Sequence, residues 1–141
     1  MTDAPVAIVG GGLSGLAVAS GLAQAGRSFQ LFEARSRYGG RIDGLPAGTA
    51  TVDLGPSWFW PGQFRFEGLL AALGLRSFPQ YQRGDGCFED ALGRIERGPG
   101  IASMAGACRV VGGIPAVVNA LVERLPGSSL RLDATVIRVG D

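Results

Sequence analysis

The chain has 141 residues and a formal net charge of +1 at pH 7, from 13 Lys and Arg and 12 Asp and Glu. That length is typical of one domain, and the balanced charge predicts neither a nucleic-acid partner nor an anionic membrane surface. Every basic residue is arginine, and the sequence contains no Lys and no His. This excludes a lysine Schiff base, a Ser-His-Asp triad and imidazole metal ligands, so we predict no metal site.

Apolar runs in the sequence are short. None approaches the ~20 residues that span a bilayer, and the first run, at Val6, follows no basic segment of the kind found in a leader. We therefore predict a cytoplasmic chain without a membrane segment. Cys87 and Cys108 form no Cys-x-x-Cys pattern, and we expect both to be reduced and half-buried.

The first predicted element is a strand followed by glycines. Val6-Ala7-Ile8-Val9 is a continuous apolar run, typical of a strand buried on both faces. Gly10 would turn the chain, Gly12 would leave room for a pyrophosphate, and Gly15 would let the next helix approach the strand. The helix N-terminus at Leu13-Ser14-Gly15 would offer unpaired N–H groups to the phosphates.

Glu33 lies at the end of the second predicted strand, Phe29 to Phe32. A carboxylate at this point accepts hydrogen bonds from ribose hydroxyls and repels a 2′-phosphate. The order of strand, glycines, helix, strand and acid favours a nucleotide site over an empty glycine-rich turn, but it fits both NAD and FAD.

Gly39-Gly40-Arg41, just after this acid, favours FAD. The glycine pair would bring a second bare backbone to the pyrophosphate, and Arg41 carries a fixed charge suited to phosphate oxygens. A free-standing NAD domain does not need this cluster. Arg35 and Arg37 are equally consistent with a solvated basic turn.

The middle of the chain predicts short elements. A strand at Thr51 to Asp53 precedes an aromatic patch, Trp58 to Phe66, which favours core packing over cofactor contact. A helix is predicted over Phe66 to Leu73. A hairpin then follows, with its turn at Arg83-Gly84-Asp85-Gly86 between strands at Phe78 to Tyr81 and Cys87 to Phe88, and with a third strand at Arg94 to Arg97.

The last third of the chain begins with a loop. Gly98 to Gly106 is rich in small residues and predicts a linker. Pro115 to Leu125 has helical periodicity with proline in its first turn. Leu130 to Leu132 and Thr135 to Val139 are then predicted as strands.

Taken together, these motifs resemble the amino-terminal part of the flavin-containing amine oxidases, the monoamine and polyamine oxidase group. The resemblance is strong over residues 6–62 and 109–139 and loose between them. It is carried by the glycines with Glu33, by Gly39-Gly40-Arg41, by Val52-Asp53-Leu54-Gly55-Pro56-Ser57-Trp58 and by Arg109-Val110-Val111-Gly112-Gly113.

The fold implied by this resemblance is α/β, a Rossmann-like FAD-binding βαβ unit with a small α+β excursion, incomplete relative to the family. The implied domains are residues 1–50 for the ADP half of FAD, 51–108 for a partial segment like a substrate domain, and 109–141 for the return to the FAD-binding domain.

The resemblance also implies a cofactor-binding set. Glu33 would bind the adenosine ribose, Gly55 to Trp58 would lie near the flavin ring, and the backbone of Val136 would meet the adenine. Pro56 departs from the family's more usual glycine and removes a backbone N–H. The implied set is Gly10, Gly12, Leu13, Ser14, Gly15, Glu33, Ala34, Arg35, Gly39, Gly40, Arg41, Gly55, Pro56, Ser57, Trp58 and Val136.

The implied function is an FAD-binding oxidoreductase that oxidises a small-molecule amine and passes the electrons to the flavin. No catalytic side chain can be named. The chain is short for this family and lacks its later lysine, so we expect a fragment that needs further sequence, a complementing chain or self-association through exposed apolar surface. The alternative is a non-catalytic nucleotide-binding module or an inactive remnant.

Overall fold

The computed structural model describes residues 5–48, 50–99 and 106–140. The helices are α1 (Leu13–Gln24), α2 (Phe64–Leu73) and α3 (Pro115–Glu123). The strands are β1 (Val6–Val9), β2 (Phe29–Phe32), β3 (Gly44–Ala47), β4 (Ala50–Asp53), β5 (Ser77–Pro79), β6 (Gly86–Glu89), β7 (Ile95–Gly98), β8 (Cys108–Val110) and β9 (Leu130–Arg131).

A parallel sheet in the order β1-β2-β9 is the centre of the fold. In its register Val6 lies opposite Phe29, and Leu31 lies opposite Leu130. Helix α1 makes the crossover between β1 and β2, the connection that a parallel strand pair requires. The predicted α/β fold with a βαβ unit is therefore confirmed.

Gly15 sets how closely α1 lies to β1. A Cβ atom added to Gly15 would overlap the carbonyl oxygen of Gly10 and would lie 3.4 Å from Cγ2 of Ile8. The predicted role of Gly15 in close packing of helix and strand is confirmed. Leu16 and Ala19, on the same helix, are completely buried.

Helix α3 joins the parallel sheet unit to the rest of the chain, because it packs against both α1 and α2. Its inner face is apolar, and Val117 and Leu121 are 0% and 1% exposed. Phe59 and Phe66 extend this core with an edge-to-face contact, their ring centroids 5.1 Å apart. The aromatic patch is thus partly core, as predicted.

Asp53, at the end of β4, fixes the start of α3. Its Oδ1 accepts a hydrogen bond from the backbone N–H of Ile114 at 2.8 Å, and its Oδ2 pairs with the Arg109 guanidinium at 3.0 Å. The Asp53 side chain is buried. It therefore holds the N-cap residue of α3, 61 residues later in the chain, and neutralises the arginine beside it.

The predicted hairpin around Arg83 to Gly86 is wrong. Strand β5 pairs antiparallel with the distant β8, and β6 pairs with β7. The turn that joins β6 to β7 is held by Asp90, whose Oδ1 accepts hydrogen bonds from the N–H groups of Leu92 and Arg94. The Asp90 carboxylate thus stabilises the turn of the observed hairpin. The glycine pattern had predicted that turn at residues 83–86, earlier in the chain.

Two other expectations are wrong, and a third is not tested. Residues 135–139 are not a strand, because they find no pairing partner in the described part of the chain, and Ile137 is 93% exposed. Cys87 is exposed rather than half-buried, whereas Cys108 is half-buried and both are free thiols. Most of the predicted loop at 98–106 lies outside the described residues.

Helices in the described ranges are all too short or too polar to cross a membrane.

Replacing Asp53 by alanine should lower the free energy of unfolding by about 2 kcal/mol, because it removes a helix cap and leaves a buried N–H and a guanidinium unpaired. Urea unfolding followed by circular dichroism measures this. Asp90→Ala is the matched control, since Asp90 also accepts backbone hydrogen bonds and pairs with an arginine, but its side chain is 26% exposed against 1% for Asp53. Equal losses in the two variants would contradict the capping role of Asp53.

Candidate nucleotide-binding site

A cavity of about 890 Å³ opens where β1 ends and α1 begins. Its volume lies in the range of cofactor pockets, roughly 300 to 1,000 Å³. Most of the predicted site lines it: Gly10, Gly12, Leu13, Ser14, Gly15, Arg35, Gly39, Gly40, Arg41, Gly55 and Pro56. Sequence reasoning missed Val9 and Ile42, which also line it and which flank the two glycine motifs.

The first wall of the cavity is the N-terminus of α1. Gly10 has a φ of 99°, a conformation that favours glycine, and it turns the chain off β1. Gly12 is the N-cap of α1, and no side chain caps the helix there. The first N–H groups of a helix have no carbonyl partner within it, so this wall presents donors and the positive end of the helix dipole.

The second wall is the glycine pair Gly39-Gly40, and it touches the first wall directly. The N–H of Gly39 donates to the carbonyl oxygen of Gly11 at 2.8 Å. A Cβ atom on Gly40 would lie 3.4 Å from Cα of Gly12. Two bare backbones therefore form adjoining sides of one cavity, as the second glycine cluster predicted.

Gly55 supplies the third wall. A Cβ atom on Gly55 would overlap the carbonyl oxygen of Arg41, so this segment also packs backbone to backbone. The N–H of Leu54 donates to the carbonyl oxygen of Asp43 at 2.9 Å and fixes the approach. Residues from three distant parts of the sequence thus meet at the cavity.

Glu33 lies behind the first wall and is 7% exposed. Its Oε2 accepts the N–H of Gly11 at 2.7 Å, and its Oε1 accepts the N–H of Arg35 at 2.9 Å. These hydrogen bonds, the one from Arg35 foremost, lower the pKa of Glu33, while burial opposes them. Each carboxylate oxygen has further acceptor capacity, so a ribose hydroxyl could bind beside these donors.

Tyr38 covers this carboxylate, and its role was not predicted. A Cβ atom on Gly11 would lie 2.5 Å from Cδ1 of the Tyr38 ring. Burial and the nearby Glu33 charge raise the pKa of Tyr38. An aromatic residue just before the glycine pair is the only signal that the sequence offers for this contact.

The three arginines around the glycine pair, Arg35, Arg37 and Arg41, differ in whether they line the cavity. Arg41 lines the cavity and has no hydrogen bond or ion pair within the described ranges, and Arg35 also lines it while donating to the Gly40 carbonyl at 3.3 Å. Arg37 instead donates to three carbonyls of the glycine-pair loop. The interpretation of Arg37 as a solvated turn residue is therefore wrong.

Four of the predicted residues besides Glu33 do not line the cavity. Ala34 is exposed, and Ser57 is buried with its hydroxyl donating to the Gly55 carbonyl at 3.2 Å. Trp58 is 42% exposed, and its Nε1 donates to Gln80 at 3.0 Å.

Val136 is the fourth. It is 36% exposed. The segment just before it reaches the end of β2, since the N–H of Ala134 donates to the carbonyl oxygen of Glu33 at 2.9 Å.

The chain is similar to several known proteins. A family model described as an NAD(P)-binding Rossmann-like domain matches residues 8–73. Putrescine oxidase from Kocuria rosea is 35% identical over 83 residues, 59% of this chain and 17% of that protein. The probable flavin-containing monoamine oxidase A of Dictyostelium discoideum is 37% identical over 79 residues, 56% of this chain and 17% of that protein. The chain is thus similar to a putrescine oxidase and to a probable flavin-containing monoamine oxidase over somewhat more than half its length.

The resemblance seen in the sequence is thereby confirmed. A solved structure of a putrescine oxidase triple mutant has a TM-score of 0.79 with 22% identity, over 94% of this chain and 51% of that chain. At that identity the likeness shows the fold alone. The chain matches 17% of the length of each of the two curated amine oxidases named above.

The charge of Glu33 should stabilise the fold in a pH-dependent way. Because its native pKa lies below the ordinary value of 4.5, its contribution is complete above that pH and is lost as pH falls through the lowered pKa. Glu33→Gln should lose about 1 to 3 kcal/mol of unfolding free energy at neutral pH, since an amide cannot accept from both N–H groups.

Urea unfolding of both proteins across the acid range measures this, and the difference should shrink as the wild-type carboxylate protonates. Glu96→Gln, an exposed change on β7, is the control and should follow the wild type at every pH. A difference that stays constant with pH would show that the charge of Glu33 is not involved.

Proposed function

We propose that this chain binds the ADP half of FAD in the cavity between the α1 N-terminus and the Gly39-Gly40 loop. One observation carries the proposal: two bare glycine backbones adjoin there, with the Glu33 carboxylate behind them and with Arg41, which has no ion pair in the described part of the chain, lining the cavity. Anions are stabilised by a helix N-terminus and by a guanidinium, and a carboxylate is a ribose acceptor.

The residues present fit a dinucleotide pyrophosphate. A Cβ atom at Gly12 would lie 4.0 Å from both the Gly39 oxygen and the Gly40 Cα, so a side chain there would grow into the gap between the two walls. In our assignment Gly12, Gly15 and Gly40 face the pyrophosphate, Glu33 holds the ribose, and Arg41 binds phosphate oxygens. Ala34 and Val136 then lie toward the adenine end, and Gly55 to Trp58 toward the flavin ring.

FAD is favoured over NAD(P) for two reasons. Glu33 would repel the 2′-phosphate of NADP. The Gly39-Gly40 wall and the third wall at Gly55 extend the cavity beyond the single glycine turn that an NAD domain needs.

The activity we propose is that of an amine oxidase-like oxidoreductase, supported by the flavin-containing monoamine oxidase and putrescine oxidase among its relatives. FAD supplies the electron-accepting ring when it is bound. This chain's own residues bind and orient the ADP half, and an amine would be the substrate. Residues 1–50 and 109–141 would form the FAD-binding domain, with 51–108 as part of a substrate domain.

A second candidate is a nucleotide-binding module without catalysis. It is favoured by the position of Trp58, which the resemblance put near the flavin ring but which bonds to Gln80 away from the cavity. Large exposed apolar side chains, among them Phe64, Phe78 and Phe88, suit either a complementing chain or self-association. The cytoplasmic location stays a prediction.

Gly12→Val should abolish FAD binding by filling the pyrophosphate gap. The backbone of Gly12, at φ −74° and ψ 177°, accepts an L side chain, so the fold should survive. Gly21→Val is the matched control, because a Cβ atom there meets nothing within 4 Å. Isothermal titration with FAD measures the effect, and wild-type affinity in Gly12→Val would overturn the assignment.

Reduction of the flavin by an amine would exclude one of the two candidate functions, the non-catalytic module. The FAD-loaded chain alone should leave its visible flavin absorbance unchanged when a panel of amines is added without oxygen, because the residues described here bind the ADP half and none of them is assigned to the amine. Bleaching by any amine would show that this chain is a complete oxidoreductase and would exclude the non-catalytic module.

A further inference from the structure

Arg37 gathers the carbonyl groups of the glycine-pair loop. Its Nη1 donates to the carbonyl oxygens of Tyr38 at 3.3 Å and Ile42 at 3.0 Å, and its Nη2 donates to that of Gly40 at 3.1 Å. A planar guanidinium has the fork of donors that such an arrangement needs. One side chain therefore spans the loop from its first residue to its last.

The Arg37 guanidinium shares the Gly40 carbonyl with Nη1 of Arg35, which donates to it at 3.3 Å, but the two arginines line different cavities. Arg37 lines a different cavity, of about 550 Å³, which also touches β3, β4 and α3. Arg35 and Arg41 line the nucleotide cavity, and Arg37 does not. Arg37 is thus placed to act on the loop and not on a ligand.

The loop needs such support because its backbone is intrinsically free. Gly39 and Gly40 have φ values of 111° and 61°, and glycine reaches many other conformations at little cost. A Cβ atom on Gly39 would lie 2.6 Å from the Ile42 oxygen, so no larger residue could stiffen the loop in this shape. External hydrogen bonds have to hold it.

Binding the carbonyl of Gly40 also orients the next peptide N–H. In a trans peptide the C=O and N–H point in opposite directions. With the Gly40 oxygen held by Arg37, the N–H of Arg41 points away from the guanidinium, and it has no partner within the described ranges. It is a free backbone donor on a residue that lines the nucleotide cavity.

Asp43 extends the support to the third wall. It pairs with Nη2 of Arg37 at 3.0 Å, and its own carbonyl accepts the N–H of Leu54, next to Gly55. Both side chains of the ion pair are about two-fifths exposed, at 39% and 44%, so the charge attraction contributes little. The directional hydrogen bonds to the carbonyls are the part that shapes the loop.

We propose that Arg37 is a positioning residue for diphosphate binding: it fixes the Gly39-Gly40 loop from behind and turns the Arg41 N–H toward the nucleotide. The inference rests on the proposed FAD function. Arg37 would thus affect the binding of diphosphate ligands although its side chain does not touch them.

The test compares Arg37→Met and Arg37→Lys with Arg65→Met, which removes the same charge from an exposed position of α2. Isothermal titration with ADP, FAD and adenosine gives the affinities. Arg37→Met should weaken ADP and FAD about tenfold and leave adenosine unchanged, because adenosine has no diphosphate. Arg37→Lys should lose at least threefold, since one ammonium cannot replace two guanidinium nitrogens, and Arg65→Met should match the wild type.

Amide hydrogen exchange in the nucleotide-free chain gives a second readout. The N–H of Gly39, which donates to the Gly11 carbonyl, and that of Ile42, which donates to the Gly39 carbonyl, should exchange faster in Arg37→Met, while those of α3 keep their rates. Uniformly faster exchange would show that Arg37 only stabilises the fold and would overturn the proposal.

Other outcomes are equally decisive. Wild-type affinity for ADP in Arg37→Met, or in Arg37→Lys, would overturn the positioning role while leaving the proposed function intact. If the wild-type chain itself binds neither ADP nor FAD, the proposed function fails and the positioning role fails with it. If Arg37→Met does not fold, Arg37→Lys still carries the test.

Discussion

The contact on which the site depends is one between two bare backbones. Gly11 and Gly12, at the start of α1, meet Gly39 and Gly40 in an isolated parallel bridge, where the Gly39 N–H donates to the Gly11 carbonyl at 2.8 Å. Since side chains would force these segments apart, their glycines set the width of the cavity. The α1 dipole, the Glu33 carboxylate and the Arg41 N–H can act on one ligand only because this contact brings them together.

Charged side chains next to this contact hold its two backbones in place. Glu33 accepts the N–H of Gly11 in the first wall, and Arg37 donates to the carbonyl of Gly40 in the second. A carboxylate thus binds a backbone donor of one wall, and a guanidinium binds a backbone acceptor of the other. Asp53 does the same for α3 by accepting the N–H of Ile114. In each case an ionised side chain holds a backbone group in place. From the sequence alone, the same side chain can be recognised only as a charged residue without a known partner.

The sequence predicted the parts of the site that follow from local rules. Gly10, Gly15 and Glu33 could be assigned because strand, turn and helix follow one another directly, and each step has its own steric requirement. The hairpin was misplaced because the partner of β5 is β8, on the far side of a long loop, and local turn propensity carries no information about distant pairing. The role of Arg37 depends on which way a flexible side chain points, and composition does not determine that.

Because the walls of the cavity are made mostly of main chain, substitutions that remove side-chain atoms give little information about it. At Gly12 or Gly55 there is no side chain to remove, and even alanine adds a methyl group. The informative substitutions there add atoms, as Gly55 shows, where a single methyl group would collide with the Arg41 carbonyl. Reagents that modify side chains would likewise not react at these glycines. The positions that tolerate the least substitution are therefore those with no reactive side chain.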